Sequence, residues 1–206
     1  MPSDEVRNRS GAPGKPAAQA PASEARGALR RRLLALRATL PARADADAAI
    51  EAALAALLER LAARRLGFYW PIQHEFDARA TVTRWLAADP GRQAALPVVS
   101  RPGAPLDFHL WQPGTAMTKG HYGIPIPDGT PAVVPDALLI PCVGFSVDKF
   151  RLGYGGGFYD RTLAALAAGG VTPVAIGVGF EACRIALAAQ GHDLAMDWIV
   201  SEGGCF

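Results

Sequence analysis

The residues with the clearest chemical potential in this chain form one short stretch, RLGYGGGFYDR, at positions 151–161. Three consecutive glycines adopt backbone conformations closed to other residues and leave their N–H groups open to a ligand. N–H groups that converge before a helix bind anions, and phosphate is the natural guest. Arg151 and Arg161 add guanidinium groups for phosphate oxygens, and Asp160 adds a carboxylate of the kind that holds Mg²⁺ beside phosphates. The alternative interpretation is a tight turn with solvated charges.

This stretch matches neither of the common nucleotide-binding motifs. It has no Gly-Lys-Ser/Thr ending, as a P-loop would, and Phe158 stands where GxGxxG needs its last glycine. A second pattern at residues 177–182, GVGFEA, fits GxGxxA, with Asp197 at the place of a ribose-binding acid. Only one βαβ unit would fit between this pattern and Phe206. We therefore predict that its glycines are turn residues and bind no nicotinamide cofactor.

The elements around the glycine stretch alternate between helix and strand. ALLIPCVGF at 137–145 predicts a strand buried on both faces, and TLAALAAGG at 162–170 predicts a helix that ends at glycine. The other predicted strands are residues 66–70, 93–100, 106–111, 171–179 and 197–201. The other predicted helices are residues 23–41, a segment with one apolar face (Ile50, Leu54, Leu57, Leu58 and Leu61), a helix from Asp77 as cap to Ala88, and residues 181–190.

This alternation predicts one three-layer α/β/α domain at residues 24–206, in which helices cover a mostly parallel or mixed sheet. Ligands of such sheets bind beyond the carboxyl ends of the strands, which is where the glycine stretch lies. Residues 1–23 are rich in Pro, Ala and Ser, and they predict a disordered tail.

The composition narrows the classes of function. The net charge of +2 does not indicate a nucleic-acid partner, and no apolar run approaches the length that a bilayer requires. The first residues lack the apolar segment of a secretory signal. Cys142, Cys183 and Cys205 form no CxxC pair and are expected to be reduced thiols without a catalytic role. We expect a cytoplasmic monomer with no nucleic-acid or membrane partner.

The glycine stretch closely resembles the signature loop of the 5-formyltetrahydrofolate cyclo-ligase family, also called methenyltetrahydrofolate synthetases. The resemblance extends from about residue 26 to residue 202 through weaker elements that occur in the family's order. These elements are Arg26-Gly27-Ala28-Leu29-Arg30, residues 69–77 (YWPIQHEFD), Gly123-Ile124-Pro125-Ile126-Pro127 and His192-Asp193-Leu194-Ala195-Met196-Asp197.

Two departures accompany this resemblance. Arg26 stands where the family usually has a lysine that contacts the nucleotide, which keeps the charge but not the compact ammonium group. Before the loop the family tends to show Phe-Asp-x-x-Gly-x-Arg, whereas Ser146 and Lys149 replace the Asp and the Gly in this chain.

The resemblance implies an enzyme that uses ATP and Mg²⁺ to convert 5-formyltetrahydrofolate into 5,10-methenyltetrahydrofolate, with ADP and phosphate as products. Arg151 and Tyr154 are then the expected catalytic residues. The expected ATP-binding residues are Arg26, Arg30, Arg151, Gly153, Gly155, Gly156, Gly157 and Tyr159, and the expected metal ligands are Asp160 and Asp193. Trp70, Glu75, Tyr154 and Phe158 are expected to bind the folate, with Glu75 accepting hydrogen bonds from the pterin and Trp70 covering its flat face.

Each of these residues also has a structural interpretation. Arg26 and Arg30 would belong to a solvated helix face, Glu75 would pair with an arginine, Trp70 would be part of the core, and Asp193 would cap a turn. His192 is interpreted as a surface histidine, and the histidines at 74, 109 and 121 have no metal-ligand spacing.

Two other functions stay open at this point. One is a different enzyme on a similar α/β scaffold, such as a sugar-phosphate isomerase or a thioester transferase, which would need a base or an acyl acceptor that RLGYGGGFYDR does not offer. The other is a binding protein for folate, nucleotide or RNA without catalysis; the small net charge and the scattered aromatic residues argue against RNA.

Overall fold

The computed structural model describes residues 20–187 and 193–206. Its α-helices are α1 Ala20–Ala38, α2 Arg43–Arg60, α3 Arg79–Ala87 and α4 Phe158–Ala168. Its strands are β1 Arg65–Gly67, β2 Gln93–Val98, β3 Asp107–Trp111, β4 Met117–Lys119, β5 Pro125–Pro127, β6 Ala132–Val133, β7 Ala137–Pro141, β8 Gly144–Phe145, β9 Arg151–Leu152, β10 Val174–Val178, β11 Trp198–Ser201 and β12 Gly204–Cys205. Short 3₁₀ turns lie at His121–Gly123 and Glu181–Cys183.

The main sheet of the described residues has eight strands in the order β12-β11-β10-β7-β1-β2-β3-β6. The neighbouring strands from β11 to β2 run parallel, while β12, β3 and β6 pair antiparallel at the two edges. The sheet is therefore mixed with a parallel centre, as the sequence predicted. β4 pairs with β5, and β8 pairs with β9, in two separate hairpins.

Alternating side chains of the central strands build a core on each face of the sheet. In β7, Ala137 and Leu139 face the cluster that α2 and α3 cover, whereas Leu138 and Ile140 face the cluster that contains Leu163 of α4. These strand residues are fully buried, because both faces of a parallel sheet are covered by helices. The predicted three-layer α/β/α architecture is confirmed.

Helix α1 packs against the small β8–β9 hairpin rather than against the main sheet. Leu33 forms a buried cluster with Val143, Leu152 and Cys183. This contact places the basic face of α1 beside the residues that follow β9, which are the glycine stretch.

The structure changes several predicted elements. The run at 137–145 is two strands, β7 and β8, that belong to different sheets, and strand β1 ends before the aromatic residues of 66–70. Asp77 does not occupy the cap position, which is Ala78; its carboxylate accepts the N–H of Arg79 one residue further on. Gly177 was predicted in a turn but lies within β10, where a Cβ would meet Ile199 Cδ1 at 2.6 Å.

The helix predicted at 181–190 is also wrong in its described part. After the 3₁₀ turn, Arg184 forms a parallel bridge with Phe145, and the N–H of Ile185 donates to the Phe145 carbonyl at 2.8 Å. Pairing with β8 therefore outweighs the helical propensity of this segment.

The ends of the predicted elements shift at the N-terminus as well. Helix α1 begins at Ala20, so residues 20–23, predicted as part of the tail, are its first turn. Residues 1–19 of that tail, His192 and residues 188–190 lie outside the described residues. The three cysteines are free thiols. None of the helices in the described part of the chain combines the length and apolarity that a bilayer crossing requires.

Candidate functional site

A cleft of about 670 Å³ opens at the carboxyl ends of β1, β2 and β7. Its walls come from residues 69–75 after β1, from Pro97 at the end of β2 and Val99 just after it, from residues 121–126 in the turn before β5 and in β5 itself, and from residues 151–160. The glycine stretch therefore meets the segment that carries Trp70 and Glu75 in one cavity. This is the position that the strand order predicted for a ligand.

The glycine loop has two positions that require glycine for their backbone conformation. Gly155 has φ +98° and Gly157 has φ +63°, in the region that residues with a Cβ rarely adopt. Gly157 directly precedes α4, so the unpaired N–H groups of the first turn of that helix lie at the end of the loop. This arrangement suits an anion.

The other two glycines of the loop, Gly153 and Gly156, differ in the space around them. A Cβ on Gly156 would meet the Phe158 ring at 2.9 Å, whereas a Cβ on Gly153 would meet no atom within 4 Å. Neither has a left-handed φ. Gly153 and Gly156 both line the cleft, and Gly153 leaves room in it that the protein does not fill.

The basic face of α1 lies against this loop. Arg30 Nε donates to the Gly153 carbonyl at 2.8 Å, and Arg26 Nη2 pairs with Asp193 Oδ2 at 2.7 Å. Burial and the positive charge of Arg26 lower the pKa of Arg30, and Asp193 raises it. Two guanidinium groups therefore lie beside the loop, and guanidinium groups are well suited to bind an anion.

Arg151 is the first residue of the stretch and is almost completely buried at 7% exposure. Its Nη2 pairs with Asp160 Oδ1, in the first turn of α4, at 2.8 Å. Both side chains line the cleft. The ion pair closes the loop, since it joins the residue before the glycines to a residue after them.

Glu75 is buried at 6% exposure, and each of its carboxyl oxygens accepts one hydrogen bond from the protein. The hydroxyl of Tyr154 donates to Oε1 at 2.6 Å, and the N–H of Ile72 donates to Oε2 at 2.8 Å. Arg37 of α1, which is 2% exposed, donates from Nη2 to the Tyr154 hydroxyl at 2.6 Å. A chain of hydrogen bonds therefore runs from Arg37 through Tyr154 to Glu75.

This chain sets the ionisation of its members. Burial raises the pKa of Glu75, while the hydrogen bonds from Tyr154 and Ile72 and the charge of Arg37 lower it. Burial and the neighbouring Glu75 raise the pKa of Tyr154, so its hydroxyl keeps the proton that it donates. The oxygens of Glu75 keep lone pairs with which they can accept hydrogen bonds from a ligand.

Aromatic side chains form much of the wall of the cleft. Trp70 and Phe158 line it together with Tyr122 and Tyr159. The Arg79 guanidinium stacks on Trp70 at 4.5 Å, and Tyr122 meets the edge of Phe158 at a centroid distance of 6.1 Å. Such rings supply flat apolar surface for a planar ligand.

The two carboxylates predicted to bind metal each pair with an arginine, Asp160 with Arg151 and Asp193 with Arg26. Within residues 20–187 and 193–206 there is no group of three or more His, Cys, Asp or Glu side chains that could hold a metal ion. Mg²⁺ at nucleotide sites needs only one or two carboxylates, because phosphates and waters supply the other oxygens. The oxygen donors present fit that role.

The structure brings most of the predicted site residues together. Those that line the cleft are Trp70, Glu75, Arg151, Gly153, Tyr154, Gly156, Phe158, Tyr159 and Asp160. Gly155, Gly157, Arg26, Arg30 and Asp193 lie beside it, in the loop or in contact with the loop and α1. Arg26 and Arg30 are therefore not a solvated face, in contrast to the exposed Arg31 and Arg32.

Sequence reasoning missed Arg37 and the wall at residues 121–126. The signal for Arg37 was present, because it follows Arg26 and Arg30 at positions i+11 and i+7 and so shares their face of α1. The wall at 121–126 had been matched only as a Gly-Ile-x-x-Pro step without a role. It reaches the cleft because the β4–β5 hairpin folds over it.

Known proteins are similar to most of this chain in sequence and in fold. A sequence profile described as the 5-formyltetrahydrofolate cyclo-ligase family matches residues 22–202. The 5-formyltetrahydrofolate cyclo-ligase of Mycolicibacterium smegmatis is 29% identical over 151 residues, which are 69% of this chain and 75% of that protein.

Two solved structures share the fold. The 5,10-methenyltetrahydrofolate synthetase from Mycoplasma pneumoniae superposes with a TM-score of 0.68 at 26% identity, over 86% of this chain and 98% of the other. The Aquifex aeolicus 5,10-methenyltetrahydrofolate synthetase superposes with a TM-score of 0.70 at 23% identity, over 87% of this chain and 91% of the other.

Proposed function

Because this chain belongs to the 5-formyltetrahydrofolate cyclo-ligase family, we propose that its cleft performs the family's reaction with the residues described above. In that reaction 5-formyltetrahydrofolate and ATP give 5,10-methenyltetrahydrofolate, ADP and phosphate. The single observation that carries the assignment of roles is the meeting of the glycine loop and Glu75 in one cleft.

The chemistry requires two ligands side by side. The formyl oxygen on N5 is a poor leaving group, so it first attacks the γ-phosphorus of ATP and ADP departs. This forms an O–P bond and turns the formyl oxygen into part of a phosphate ester. N10 then attacks the formyl carbon, the original C–O bond of the formyl group breaks so that phosphate leaves with that oxygen, and N10 loses its proton. The protein supplies mainly positioning and charge neutralisation, as in other phosphoryl transfers.

The glycine loop and α1 form the nucleotide half of the cleft. The N–H groups of Gly155, Gly156 and Gly157 and those of the first turn of α4 are proposed to bind phosphate oxygens. The Arg151 guanidinium is proposed to stabilise the charge that develops on the transferred group. Arg26 and Arg30 add positive charge from α1, and Tyr159 and Gly153 complete the nucleotide wall.

Glu75, Trp70, Phe158 and Tyr154 form the folate half. The buried carboxylate of Glu75 is proposed to accept hydrogen bonds from N–H groups of the pterin, and the rings of Trp70 and Phe158 to cover its faces. Tyr154 touches both halves, since it follows Gly153 and donates to Glu75. It is proposed to hold the formyl group at the border.

Asp160 and Asp193 are proposed to hold Mg²⁺ when nucleotide is present. The ion would neutralise phosphate charge. The phosphate oxygens would take over the arginines with which these carboxylates now pair, because both are anions that match a guanidinium. A cytoplasmic monomer with free thiols is the proposed form of the protein, and light scattering at micromolar concentration tests its mass.

The decisive assay mixes the purified protein with 5-formyltetrahydrofolate, ATP and Mg²⁺ and follows the near-ultraviolet absorbance of the methenyl product. We expect the chromophore to appear only when ATP is present, with ADP released in equal amount. A protein that binds both ligands but forms no chromophore would be a binding protein, and the proposed function would fail.

The metal assignment has its own test. Asp160→Asn keeps the shape of the side chain but removes its charge, so we expect turnover to fall and to recover partly as Mg²⁺ is raised. Asp128→Asn, at an exposed position away from the loop, is the control. An unchanged Mg²⁺ concentration for half-maximal activity in Asp160→Asn would remove Asp160 from the metal site.

A further inference from the structure

The turn that carries Glu75 has an unfavourable backbone conformation. Gln73 has φ +46° and His74 has φ +61°, so two consecutive residues with a Cβ lie in the left-handed region. Such conformations persist only where the surrounding structure enforces them, and they are concentrated at functional sites. The contacts that enforce this turn are therefore part of the site.

Two arginines bind the carbonyl groups of this turn from neighbouring helices. Arg37 Nε, from α1, donates to the Gln73 carbonyl at 3.0 Å. Arg43, from α2, donates from Nη1 to the His74 carbonyl at 3.0 Å and from Nη2 to the Glu75 carbonyl at 2.9 Å. The three consecutive carbonyl groups of the turn are thus held by guanidinium donors.

Arg37 also reaches the functional ends of the same network. Its Nη1 donates to the Cys142 carbonyl after β7 at 3.3 Å, and its Nη2 donates to the Tyr154 hydroxyl. A guanidinium cannot accept a hydrogen bond, so the single proton of the hydroxyl is free to go to Glu75. One buried side chain therefore fixes the turn, the end of β7 and the tyrosine of the glycine loop at once.

We propose that Arg37 is a positioning residue for folate binding, which acts through the turn at Gln73 and through the Tyr154 hydroxyl to hold the Glu75 carboxylate where it meets the pterin. This inference rests on the proposed function, in which Glu75 binds the folate. Arg37 is not among the described residues that line the cleft, so it would act on the folate through the turn and Tyr154.

The charge of Arg37 gives this role a signature that a purely structural residue lacks. Four ionisable groups interact with Glu75: Tyr154 in the loop, Tyr69 after β1, Tyr159 in α4 and Cys142 after β7. All four are neutral at pH 7, because burial raises the pKa of each. Arg37 is the cation that lowers the pKa of Glu75 among the described groups. Its removal should therefore move the loss of folate affinity to higher pH.

The experiment is a double-mutant cycle with Arg37→Met, Glu75→Gln and the combined variant. KM values for 5-formyltetrahydrofolate and ATP are measured from pH 5 to 9, and folding is checked by circular dichroism. Arg32→Met, an exposed arginine of the same helix, is the control and is expected to behave as wild type. We expect Arg37→Met to raise the folate KM by about tenfold or more and to change the ATP KM much less.

The cycle decides the proposal. Arg37→Met is expected to add little to the folate KM once Glu75 is glutamine, and to shift the pH dependence upward only when Glu75 is present. Fully additive effects, or an unshifted pH dependence in folded Arg37→Met, would overturn it. If Glu75→Gln leaves the folate KM unchanged, the folate role of Glu75 fails instead, and the two failures are thus distinct.

Should Arg37→Met not fold, Tyr154→Phe tests the same link without removing a buried charge. It deletes only the hydroxyl between Arg37 and Glu75. Because Tyr154 is itself proposed to hold the formyl group, a raised folate KM alone would not test the link; the test is whether the pH dependence of that KM also shifts upward. A wild-type pH dependence in that variant would contradict the proposal.

Discussion

The two halves of the cleft are prepared for their ligands in opposite ways. In the proposed folate half, Glu75 and Arg37 are buried, and both are hydrogen-bonded to the hydroxyl of Tyr154, which is 37% exposed, before any ligand arrives. In the nucleotide half, glycines leave space, and the arginines that suit phosphate are paired with carboxylates. The folate half is therefore preorganised, whereas the arginines of the nucleotide half would have to exchange their carboxylate partners for phosphate when ATP binds.

This difference follows from the ligands. A pterin offers neutral N–H groups at fixed positions, so it is best met by a rigid carboxylate whose orientation is already set. A triphosphate brings several negative charges, and arginines left without anions would repel one another in the empty site. Asp160 pairs with Arg151 and Asp193 with Arg26, and in the proposed function phosphate takes the place of these carboxylates. The loss of a residue should therefore act differently in the two halves.

The largest effect is expected for Arg151→Met, which removes the buried cation of the nucleotide half. Turnover should fall by about 10²–10³-fold, as for other groups that stabilise a transition-state charge. Stability should fall too, because Asp160 loses its partner. Steady-state kinetics on the folded protein check this, with Arg151→Lys as the variant that keeps the charge. A folded Arg151→Met protein with normal turnover would place the reacting phosphate elsewhere.

The next largest effect is expected in the folate half. Glu75→Gln should weaken 5-formyltetrahydrofolate binding by about 1.5–3 kcal/mol, roughly ten- to a hundredfold, because a charge-assisted hydrogen bond is lost. The ATP KM should stay close to that of wild type. If the KM values for folate and ATP rose equally, the two halves would not bind their ligands independently, and the contrast between them would be wrong.

The same carboxyl group predicts a pH dependence with a definite sign. Burial raises the pKa of Glu75, so the folate KM should rise as pH falls, and at a higher pH than for an exposed carboxyl. Because the folded pKa is raised, ionisation of Glu75 costs stability, and this cost grows as pH rises through that pKa. We therefore expect the melting temperature of Glu75→Gln minus that of wild type to increase from pH 5 to pH 8. A gap that shrinks over this range would contradict the burial argument.

The glycines test whether the space in the nucleotide half is there for a ligand. The protein has room for a methyl group at Gly153, so Gly153→Ala should keep its stability. If ATP occupies that room, its affinity should fall by about 1–2 kcal/mol, a factor of roughly 5–30. Thermal unfolding and the ATP KM on the same sample separate these effects, and an unchanged KM would leave the space without a function.

Gly156→Val is the companion variant, because its Cβ meets a protein atom rather than open space. The Phe158 ring must move, so the variant should lose most turnover while it stays folded, since a surface loop contributes little to the core. The sequence had attributed this glycine to its φ or to a ligand, whereas the structure gives the ring as the first obstacle. Normal turnover would show that the wall at Phe158 tolerates displacement.

Features that depend on neighbouring residues could be predicted from the sequence, whereas features that depend on contacts between distant residues could not. The glycine stretch was predicted because its residue types carry a local signal, and the α/β alternation predicted the layers of the fold. Glu75 was named only because residues 69–77 resemble a segment of the cyclo-ligase family. Arg37 was missed because its role depends on contacts with Gln73, Cys142 and Tyr154, which are distant in sequence. The helix predicted after Glu181 was wrong for the same reason, since its alternative partner, β8, cannot be seen from local propensity.

The smallest expected effect asks whether backbone strain matters equally in both halves. Lys149 has φ +64° in the hairpin that leads into the glycine loop, at the position where the family tends to have glycine. Its Nζ donates to the Asp197 carbonyl at 2.9 Å, so a direct comparison with wild type would mix two effects. Lys149→Gly and Lys149→Ala both lose that bond, and only glycine relieves the strain.

We therefore expect Lys149→Gly to be more stable than Lys149→Ala by about 1 kcal/mol, measured by denaturant unfolding, with the same turnover in both. The left-handed residues at Gln73 and His74 are different, because they set the orientation of Glu75. If Lys149→Gly also changes the ATP KM relative to Lys149→Ala, the strained hairpin helps to shape the loop. In that case the nucleotide half would be preorganised by its backbone as the folate half is. The two halves would then differ only in the charge of their ligands.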